Sequence, residues 1–471
     1  MDSVAPRLRA HRRSGAARRT GWVLLGVALL ARAAFAFATP GYVPRGDDHD
    51  YLRLAVAIAR SGVYPTFHVW VTGRGCPTLT GLPSIPCVAR PGAPGADLVA
   101  RPTAYRPPAY PYALAAPELV ARWLGAGELT LARAFQVLIG VLDVALVGLV
   151  ARMIWGRRVG LVALGLAAVY LPFVLVSGTL ISEPWYDALM LGAICAVLRW
   201  RRQRSRRWLV AAGVLAGLCA LTRSNGIIVL LGVSALTVAA AGDDRPGALR
   251  RLRAALLVLT CGVLTILPWT ARNAVVLHHL VPISTESGGT LVGTYNATSR
   301  GDHAEPATWL GLSHIAGYGT VYTEQSAHPE TVIDAALRRD AINFASAHPA
   351  YIASVVWHNT VRLFDLEGFV RTRFTAGTIG LPGGAAVAGA IMFYVVALLA
   401  LAGTLSARAR QAPRALWLLP ALQFASTVIV ISETPRFRTP LEPFILLLAA
   451  LTGERLVTAV VRSWRRSTAR T

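Results

Sequence analysis

The chain has 471 residues, of which 54% are hydrophobic and only 15% are charged. A soluble domain carries about 25% charged residues, so this composition excludes an ordinary soluble protein and indicates a polytopic membrane protein. The net charge of +23 comes from 47 basic residues, all of them arginine. Because they cluster between apolar segments and not along one soluble face, they indicate membrane topology and argue against nucleic acid as a partner.

Long apolar segments recur along the chain, and a membrane-spanning helix needs roughly 20 such residues. Spans are predicted near 20–39, 129–151, 159–179, 185–200, 208–222, 225–241, 254–271, 384–404, 415–431 and 440–461. The first is followed by so many others that it is interpreted as a retained anchor. Segment 350–364 either lies in the interface or forms one further span. The predicted fold is all-α and polytopic, with about 10–11 transmembrane helices.

The arginines lie mainly on one side of these predicted spans. Because positive charge favours the cytoplasmic side, we expect a plasma-membrane protein with both termini in the cytoplasm. On the opposite side the short loops hold only Arg223, Arg436 and Arg438. The predicted organisation is a basic cytoplasmic tail (1–19), an N-terminal transmembrane module (20–271) with an extracytoplasmic loop (40–128), an extracytoplasmic region (272–383), C-terminal transmembrane helices (384–461) and a cytoplasmic tail (462–471). Both extracytoplasmic regions are expected to contain short interfacial helices.

An acidic cluster follows the first predicted span. Asp47, Asp48 and Asp50 occupy the first turn of a predicted helix over 47–61, where the helix dipole favours negative charge, and Gly62 is a typical stop signal. One acid is enough to cap a helix. Three acids beside an apolar stripe suggest a second role, because a partly desolvated carboxylate is a suitable general base.

Later in the same loop, Arg106 precedes two prolines and a pair of tyrosines. The segment is interpreted either as the start of an interfacial helix or as a place where Arg106 faces an anion. Cys76 and Cys87 lie eleven residues apart in this loop, and a disulfide between them is plausible outside the cytoplasm. No spacing of His or Cys typical of a zinc site is found, so no metal or other cofactor is predicted.

Six motifs, in this order, resemble those of the C superfamily of membrane glycosyltransferases. They are DDHDYLRLA (47–55), RPPAYPYAL (106–114), SEPWYDAL (182–189), LTRSNG (221–226), ISTESGGTLVGTYN (283–296) and ETPRFRTPLEPF (433–444). The most similar groups are the dolichyl-phosphate-mannose protein mannosyltransferases and the bacterial aminoarabinose or mannose transferases. The resemblance extends over nearly the whole chain. One departure is that the family often has Asp-Glu where this chain has Asp47-Asp48.

The resemblance implies inverting transfer of a sugar from a polyprenyl phosphate in the membrane to an acceptor outside the cytoplasm. It implies that 20–271 is the catalytic module and that Asp47 is the catalytic base, with Asp48 as its partner or substitute. The residues implied to bind the donor phosphate are Arg106, Arg223, Arg436 and Arg438. Those implied to support the site are Tyr51, Glu183, Glu286 and Glu433. The sugar (a hexose or a pentose) and the acceptor (a lipid, a glycan or a protein) stay open.

Several of these residues also have a purely structural interpretation. Glu183 is also a good helix-start residue before Pro184, and Arg436 and Arg438 could reach lipid headgroups. The alternative function is a transporter or lipid flippase without transferase activity, and a nonenzymatic scaffold is a third possibility. Against a transporter, the sequence lacks a convincing internal repeat, and its charges lie at predicted span ends, with Asp143 and Asp187 as exceptions.

Overall fold

The computed structural model describes residues 4–64, 102–239, 247–318, 329–431 and 434–468, and the regular elements in these ranges are helices. The N-terminal part contains α1 (Val4–Ala38), α2 (Asp47–Ser61), α3 (Ala109–Leu124), α4 (Glu128–Trp155), α5 (Arg157–Val169), α6 (Leu171–Val176), α7 (Glu183–Gln203), α8 (Arg207–Thr222), α9 (Ile227–Ala239) and α10 (Ala248–Leu277). The remainder contains α11 (Ser287–Thr294), α12 (Ala297–Gly301), α13 (Glu330–Ala347), α14 (Pro349–Leu363), α15 (Phe369–Thr378), α16 (Gly383–Thr404), α17 (Leu418–Val430) and α18 (Glu442–Thr468). The prediction of an all-α polytopic membrane protein is confirmed.

Among the residues that the structure describes, each predicted span overlaps at least one helix. By length and composition alone, five helical stretches are long and apolar enough to cross a membrane, namely Arg18–Ala38, Glu128–Trp155, Ala248–Leu277, Gly383–Thr404 and Pro435–Thr468. Three shorter apolar helical stretches are Arg207–Thr222, Ser224–Ala239 and Arg414–Val430. The helix α14, at segment 350–364, has 15 residues and is shorter than a membrane crossing needs.

One predicted span, 159–179, is interrupted. The helix α5 ends at Val169, Tyr170 adopts an extended conformation, and α6 restarts at Leu171 with Pro172 in its first turn. Proline lacks a backbone N–H and is tolerated at a helix start but not in a helix interior, so Pro172 favours a break at this point. The chain after α6 then turns through 177–182 toward α7.

Small residues let helices approach closely in the core. A Cβ atom on Gly213 would lie 2.4 Å from the Val258 carbonyl oxygen, and one on Gly217 would lie 2.7 Å from that of Gly262. The backbones of α8 and α10 are therefore in direct contact, which is a typical packing mode for helices in membranes.

The shorter helices gather at one end of the long ones. The helix α2 packs on α3, where the rings of Tyr51 and Tyr110 meet edge to face with their centroids 5.0 Å apart. The helix α11 packs on α13. Turns that follow α8 and precede α18 reach the same region, through the 3₁₀ helices Ser224–Gly226 and Pro435–Leu441. These elements surround the cavity described next.

Candidate functional site

A cavity of about 790 Å³ lies among α2, the segment before α3, the turn after α8, the start of α11, α13 and the turn before α18. It is within the size range of small-molecule binding sites. Six of the predicted residues, from five different motifs, line it, namely Asp47, Tyr51, Arg106, Arg223, Glu286 and Arg436. The structure thus brings together side chains that are up to 389 positions apart in the chain.

Asp47 lies at the start of α2, directly after Gly46, whose φ of +54° is a conformation that favours glycine. One carboxylate oxygen of Asp47 accepts a hydrogen bond of 2.6 Å from Arg106 Nη2, and the other accepts one from Arg436 Nη2. Burial alone raises the pKa of Asp47, but attraction to Arg106 and Arg436 outweighs burial and holds that pKa well below its usual range. Asp47 is therefore an ionised carboxylate clamped between two guanidinium groups.

Arg106 connects three carboxylates. Its guanidinium lies 2.6 Å from Asp47, 2.8 Å from Asp50 and 3.2 Å from Glu286. The same group lies over the rings of Tyr51 and Tyr105, with 5.8 Å and 5.1 Å to their centroids. Planar guanidinium groups suit contacts of this kind with several oxygens and aromatic faces at once.

Glu330, at the start of α13, holds the segment before Arg106 in place through hydrogen bonds. The Glu330 carboxylate accepts hydrogen bonds from the Thr103 hydroxyl (2.6 Å), the Ala104 amide (2.7 Å) and the Thr285 hydroxyl (3.2 Å). Sequence reasoning missed Glu330, because its neighbours in the chain carry no motif. It acts on the site by positioning the residues before Arg106.

Replacing Glu330 with alanine is expected to destabilise this fastening by about 1–3 kcal/mol, because the Ala104 amide loses its side-chain acceptor. Limited proteolysis between the first span and α3 should then proceed faster than in the wild type. Arg339→Ala, an exposed position on the same helix, is the control and should leave the proteolysis rate unchanged. Equal rates for Glu330→Ala and wild type would contradict the positioning role.

Glu183, at the start of α7, is only 1% exposed and pairs with two of the arginines. Its carboxylate lies 2.7 Å from Arg223 and 3.8 Å from Arg436. Pro184 follows it in the first turn, so the helix-start interpretation also describes its place. Glu183 does not line the cavity. It contacts Arg223 and Arg436 from behind the cavity wall.

Asp48, next to Asp47, points away from the cavity and is fully buried. One of its oxygens accepts hydrogen bonds from the Tyr42 hydroxyl and, at 3.3 Å, from the Leu180 amide, while the other has no partner. Burial raises the pKa of Asp48 to about 7. The two adjacent aspartates therefore have opposite environments. Arginines favour the ionised form of Asp47, whereas burial favours the protonated form of Asp48.

The Asp48→Asn variant tests this difference. Because the folded protein keeps the Asp48 proton up to a pKa of about 7 and the unfolded chain loses it near 3.8, the free energy of unfolding should fall as pH rises through this window. The fall is up to about 4 kcal/mol. Asparagine mimics the neutral carboxyl, so the variant should lack this part of the pH dependence and gain stability over wild type at pH 8. Thermal unfolding in detergent at pH 5 and pH 8 measures both, and an unchanged pH dependence would contradict the assignment.

Arg438 occupies a different environment from Arg436. It is 3% exposed, and its guanidinium lies 3.1 Å from Asp365 and 2.8 Å from Glu442. These three side chains line a second cavity of about 70 Å³, and Arg436 lies in the walls of both cavities. The phosphate-binding role of Arg438 stays a prediction, as do the roles of the other site residues.

Three predicted residues, Glu433, Cys76 and Cys87, lie outside the described residues. In the part of the chain that the structure describes, no group of three His, Cys, Asp or Glu side chains has an arrangement suited to a metal ion. The expectation of a metal-free site stays a prediction.

Two further polar residues of the site lie within the quoted motifs but were assigned no role of their own. Asp50 was treated only as part of the acidic helix start, yet it lies 2.8 Å from Arg106. Ser224 donates a hydrogen bond of 3.0 Å to Glu286 and lies 2.7 Å from the Ser284 hydroxyl. Asp50 lies within the motif DDHDYLRLA and Ser224 within LTRSNG, but a motif alone does not show which of its polar side chains meet others in space.

Comparison with known proteins adds a family match. Residues 105–271 match the family model of the dolichyl-phosphate-mannose-protein mannosyltransferases. This segment contains Arg106, Glu183 and Arg223, whereas Asp47 precedes it and Arg436 follows it. No curated protein sequence matches the chain.

Solved structures match over nearly the whole chain. The oligosaccharyltransferase of Archaeoglobus fulgidus in its apo form aligns with 95% of this chain and 52% of its own, at 14% identity and a TM-score of 0.52. The complex of that enzyme with Zn and sulfate aligns with 93% and 49%, at 16% identity and a TM-score of 0.51. ArnT from Cupriavidus metallidurans bound to undecaprenyl phosphate aligns with 93% and 78%, at 17% identity and a TM-score of 0.41.

The chain spans about half the length of the oligosaccharyltransferase structures that it matches. At identities this low, the structural likeness shows a shared fold and does not extend to function. The resemblance to the C superfamily of membrane glycosyltransferases is confirmed for the fold, and the family model confirms it within residues 105–271.

Proposed function

We propose that the protein is an integral membrane glycosyltransferase that moves a sugar from a polyprenyl-phosphate donor to an acceptor outside the cytoplasm, with inversion and with Asp47 as the base. The observation that carries the proposal is the contact of the Asp47 carboxylate with two arginines in the wall of a large cavity. Such a site offers a proton acceptor and positive charge within a few ångströms of each other. Transfer from a lipid phosphate requires both.

The chemistry is a single displacement. Asp47 takes the proton of an acceptor hydroxyl, whose oxygen forms a bond to the anomeric carbon of the sugar. The bond between that carbon and the phosphate oxygen breaks from the opposite face, so the configuration inverts. The polyprenyl phosphate leaves with an additional negative charge, which Arg106, Arg223 and Arg436 stabilise.

A lipid donor fits the surroundings of the site. The turn that carries Arg436 leads directly into α18, part of the apolar stretch Pro435–Thr468. A structure of the oligosaccharyltransferase AglB of Archaeoglobus fulgidus, whose fold is similar, holds a dolichol-phosphate and an inhibitory peptide. For this chain, the donor class follows from that likeness and from the arginines, and the acceptor stays a lipid, glycan or protein hydroxyl.

The orientation is part of the proposal. The protein is a multi-pass protein of the plasma membrane with both termini in the cytoplasm, according to the distribution of arginines. The cavity then opens on the extracytoplasmic side, where α2 and α11 lie. Labelling of single cysteines introduced into the 404–414 turn and into α11 of the full-length chain in intact cells would test the two sides.

The decisive experiment measures free polyprenyl phosphate released by the purified protein from a mixed extract of polyprenyl-phosphate sugars, with crude cell envelope as acceptor. Release that depends on both the protein and the envelope would support the transferase. Lack of release, together with protein-dependent uptake of a solute or flipping of a lipid in liposomes, would favour the transporter or flippase alternative.

A further inference from the structure

Glu286 is the carboxylate of the cluster whose pairing is weakest. It lies directly before α11, 3.2 Å from Arg106, whereas Asp47 and Asp50 lie 2.6 and 2.8 Å from the same guanidinium. Its second partner is the uncharged hydroxyl of Ser224. The side chain is 18% exposed, so it reaches the cavity while being largely out of water.

In the largely buried cluster, the guanidinium groups do not outnumber the carboxylates. Four carboxylates (Asp47, Asp50, Glu183 and Glu286) face three guanidinium groups (Arg106, Arg223 and Arg436). Arg53 interacts with Asp50 at the rim, which brings the set to balance at most. Arg45 also lines the cavity, but it is exposed to solvent and donates a hydrogen bond to the Gly377 carbonyl oxygen, so it lies outside the buried set.

Other ionisable groups surround this set. From α2 these are Asp48, His49 and Tyr51, from the segment before α3 Tyr105, and from α13 Glu330 and Asp334. Asp334 is held by Ser287, the Gly288 amide and Arg338, and Glu330 by the segment before Arg106. Neither of them contacts an arginine of the cluster.

Adding a phosphodiester to this balanced set leaves one excess negative charge in a mostly buried place. Such a charge is costly there unless it is compensated. Protonation of a carboxylate compensates it. Burial already raises the pKa of Glu286 above its ordinary value, while the arginines keep the pKa of Asp47 low. A neutral Glu286 can donate its proton to the Ser224 oxygen, and Ser224 can then donate to Ser284, 2.7 Å away.

We propose that binding of the donor's phosphodiester is coupled to uptake of one proton by Glu286, so that Arg106 is freed for the phosphate and Asp47 stays ionised as the base. The inference rests on the proposed function, because it assumes an anionic lipid phosphate in this cavity. It gives Glu286 a charge-compensating role, distinct from contact with the reacting hydroxyl.

Isothermal titration calorimetry of the full-length protein in detergent tests the coupling. The probe is farnesyl methyl phosphodiester, whose single charge does not titrate near neutral pH. Titrations in two buffers of different ionisation enthalpy are expected to show about one proton taken up, and the Kd should fall about tenfold for each unit that the pH is lowered within the window of uptake. A carboxylic acid C=O band appearing in the infrared difference spectrum on binding would be the independent signature.

Glu286→Gln assigns the proton. The variant should bind the probe with no proton uptake and a Kd that is independent of pH, whereas Asp334→Asn, in the same cavity wall, should keep the uptake of wild type. Uptake that persists in Glu286→Gln or vanishes in Asp334→Asn would overturn the assignment. If Glu286→Gln does not fold, the wild-type titration still decides, since probe binding without proton uptake overturns the coupling and leaves the transferase proposal standing. No binding at all would overturn both.

Discussion

Asp47→Asn is expected to lower the turnover number for sugar transfer by about 10²–10⁴-fold, the usual contribution of a general base, without unfolding the protein. Asparagine has nearly the same shape and can still accept a hydrogen bond from Arg106 or Arg436, but it cannot take a proton from the acceptor. The measurement is release of polyprenyl phosphate from the donor extract by equal amounts of folded wild-type and variant protein. Gel filtration and thermal unfolding check the fold.

Asp50→Asn is the matched control. Asp50 also lies in the first turn of α2, lines the same cavity and pairs with Arg106, but it has no contact with Arg436. Its replacement should reduce turnover by less than about tenfold, the effect of one partly exposed ion pair. Full activity of Asp47→Asn would exclude it as the base. Equal losses in both variants would mean that the charge around Arg106 matters, and not the proton acceptor.

The sequence could indicate that an acidic helix start follows the first span, but it could not separate Asp47 from Asp48. Neighbouring positions on a helix differ by about 100° in direction, so two adjacent aspartates cannot share one environment. Which of them faces the cavity depends on the packing of α2 against the turn at Leu180, where Tyr42 also binds. That is a tertiary contact between segments more than 130 residues apart, and no local pattern encodes it.

The helical class and the positions of the spans followed from apolar length and arginine placement, because these signals are local. The order of short motifs predicted several of the residues that line the cavity, and their roles stay predictions. The motifs did not show which side chains contact one another in the folded protein. Glu330 and Ser224 are single polar residues whose roles arise only because α13 and the turn after α8 meet the segment of Arg106 and Glu286 in space.

The motif that contains Arg436 and Arg438 shows the same limit. Both were predicted to bind phosphate, and they are only two residues apart in a short 3₁₀ helix. Arg436 is turned to the main cavity and Asp47, whereas Arg438 is turned inward to Asp365 and Glu442. Removing one arginine should therefore affect chemistry, and removing the other should affect folding.

Arg436→Ala is expected to reduce turnover by about 10²–10³-fold, because the leaving phosphate loses a charge-assisted donor. It should also move the acidic limb of the pH–rate profile to higher pH, since Asp47 loses one of the two cations that lower its pKa. Stability should change little, because the partners of Arg436 keep other cations, with Asp47 still on Arg106 and Glu183 still on Arg223. Transfer assays across pH and thermal unfolding measure these effects.

Arg438→Ala is expected to show the reverse pattern. The substitution leaves the buried carboxylates of Asp365 and Glu442 without their cation, which is expected to lower the free energy of unfolding by about 3–5 kcal/mol. The protein that stays folded should keep the pH–rate profile of wild type, since Arg438 has no contact with Asp47. A stable Arg438→Ala protein that binds the donor weakly would instead favour the phosphate role for both arginines. The donor would then reach into the second cavity through the wall that Arg436 shares with the first.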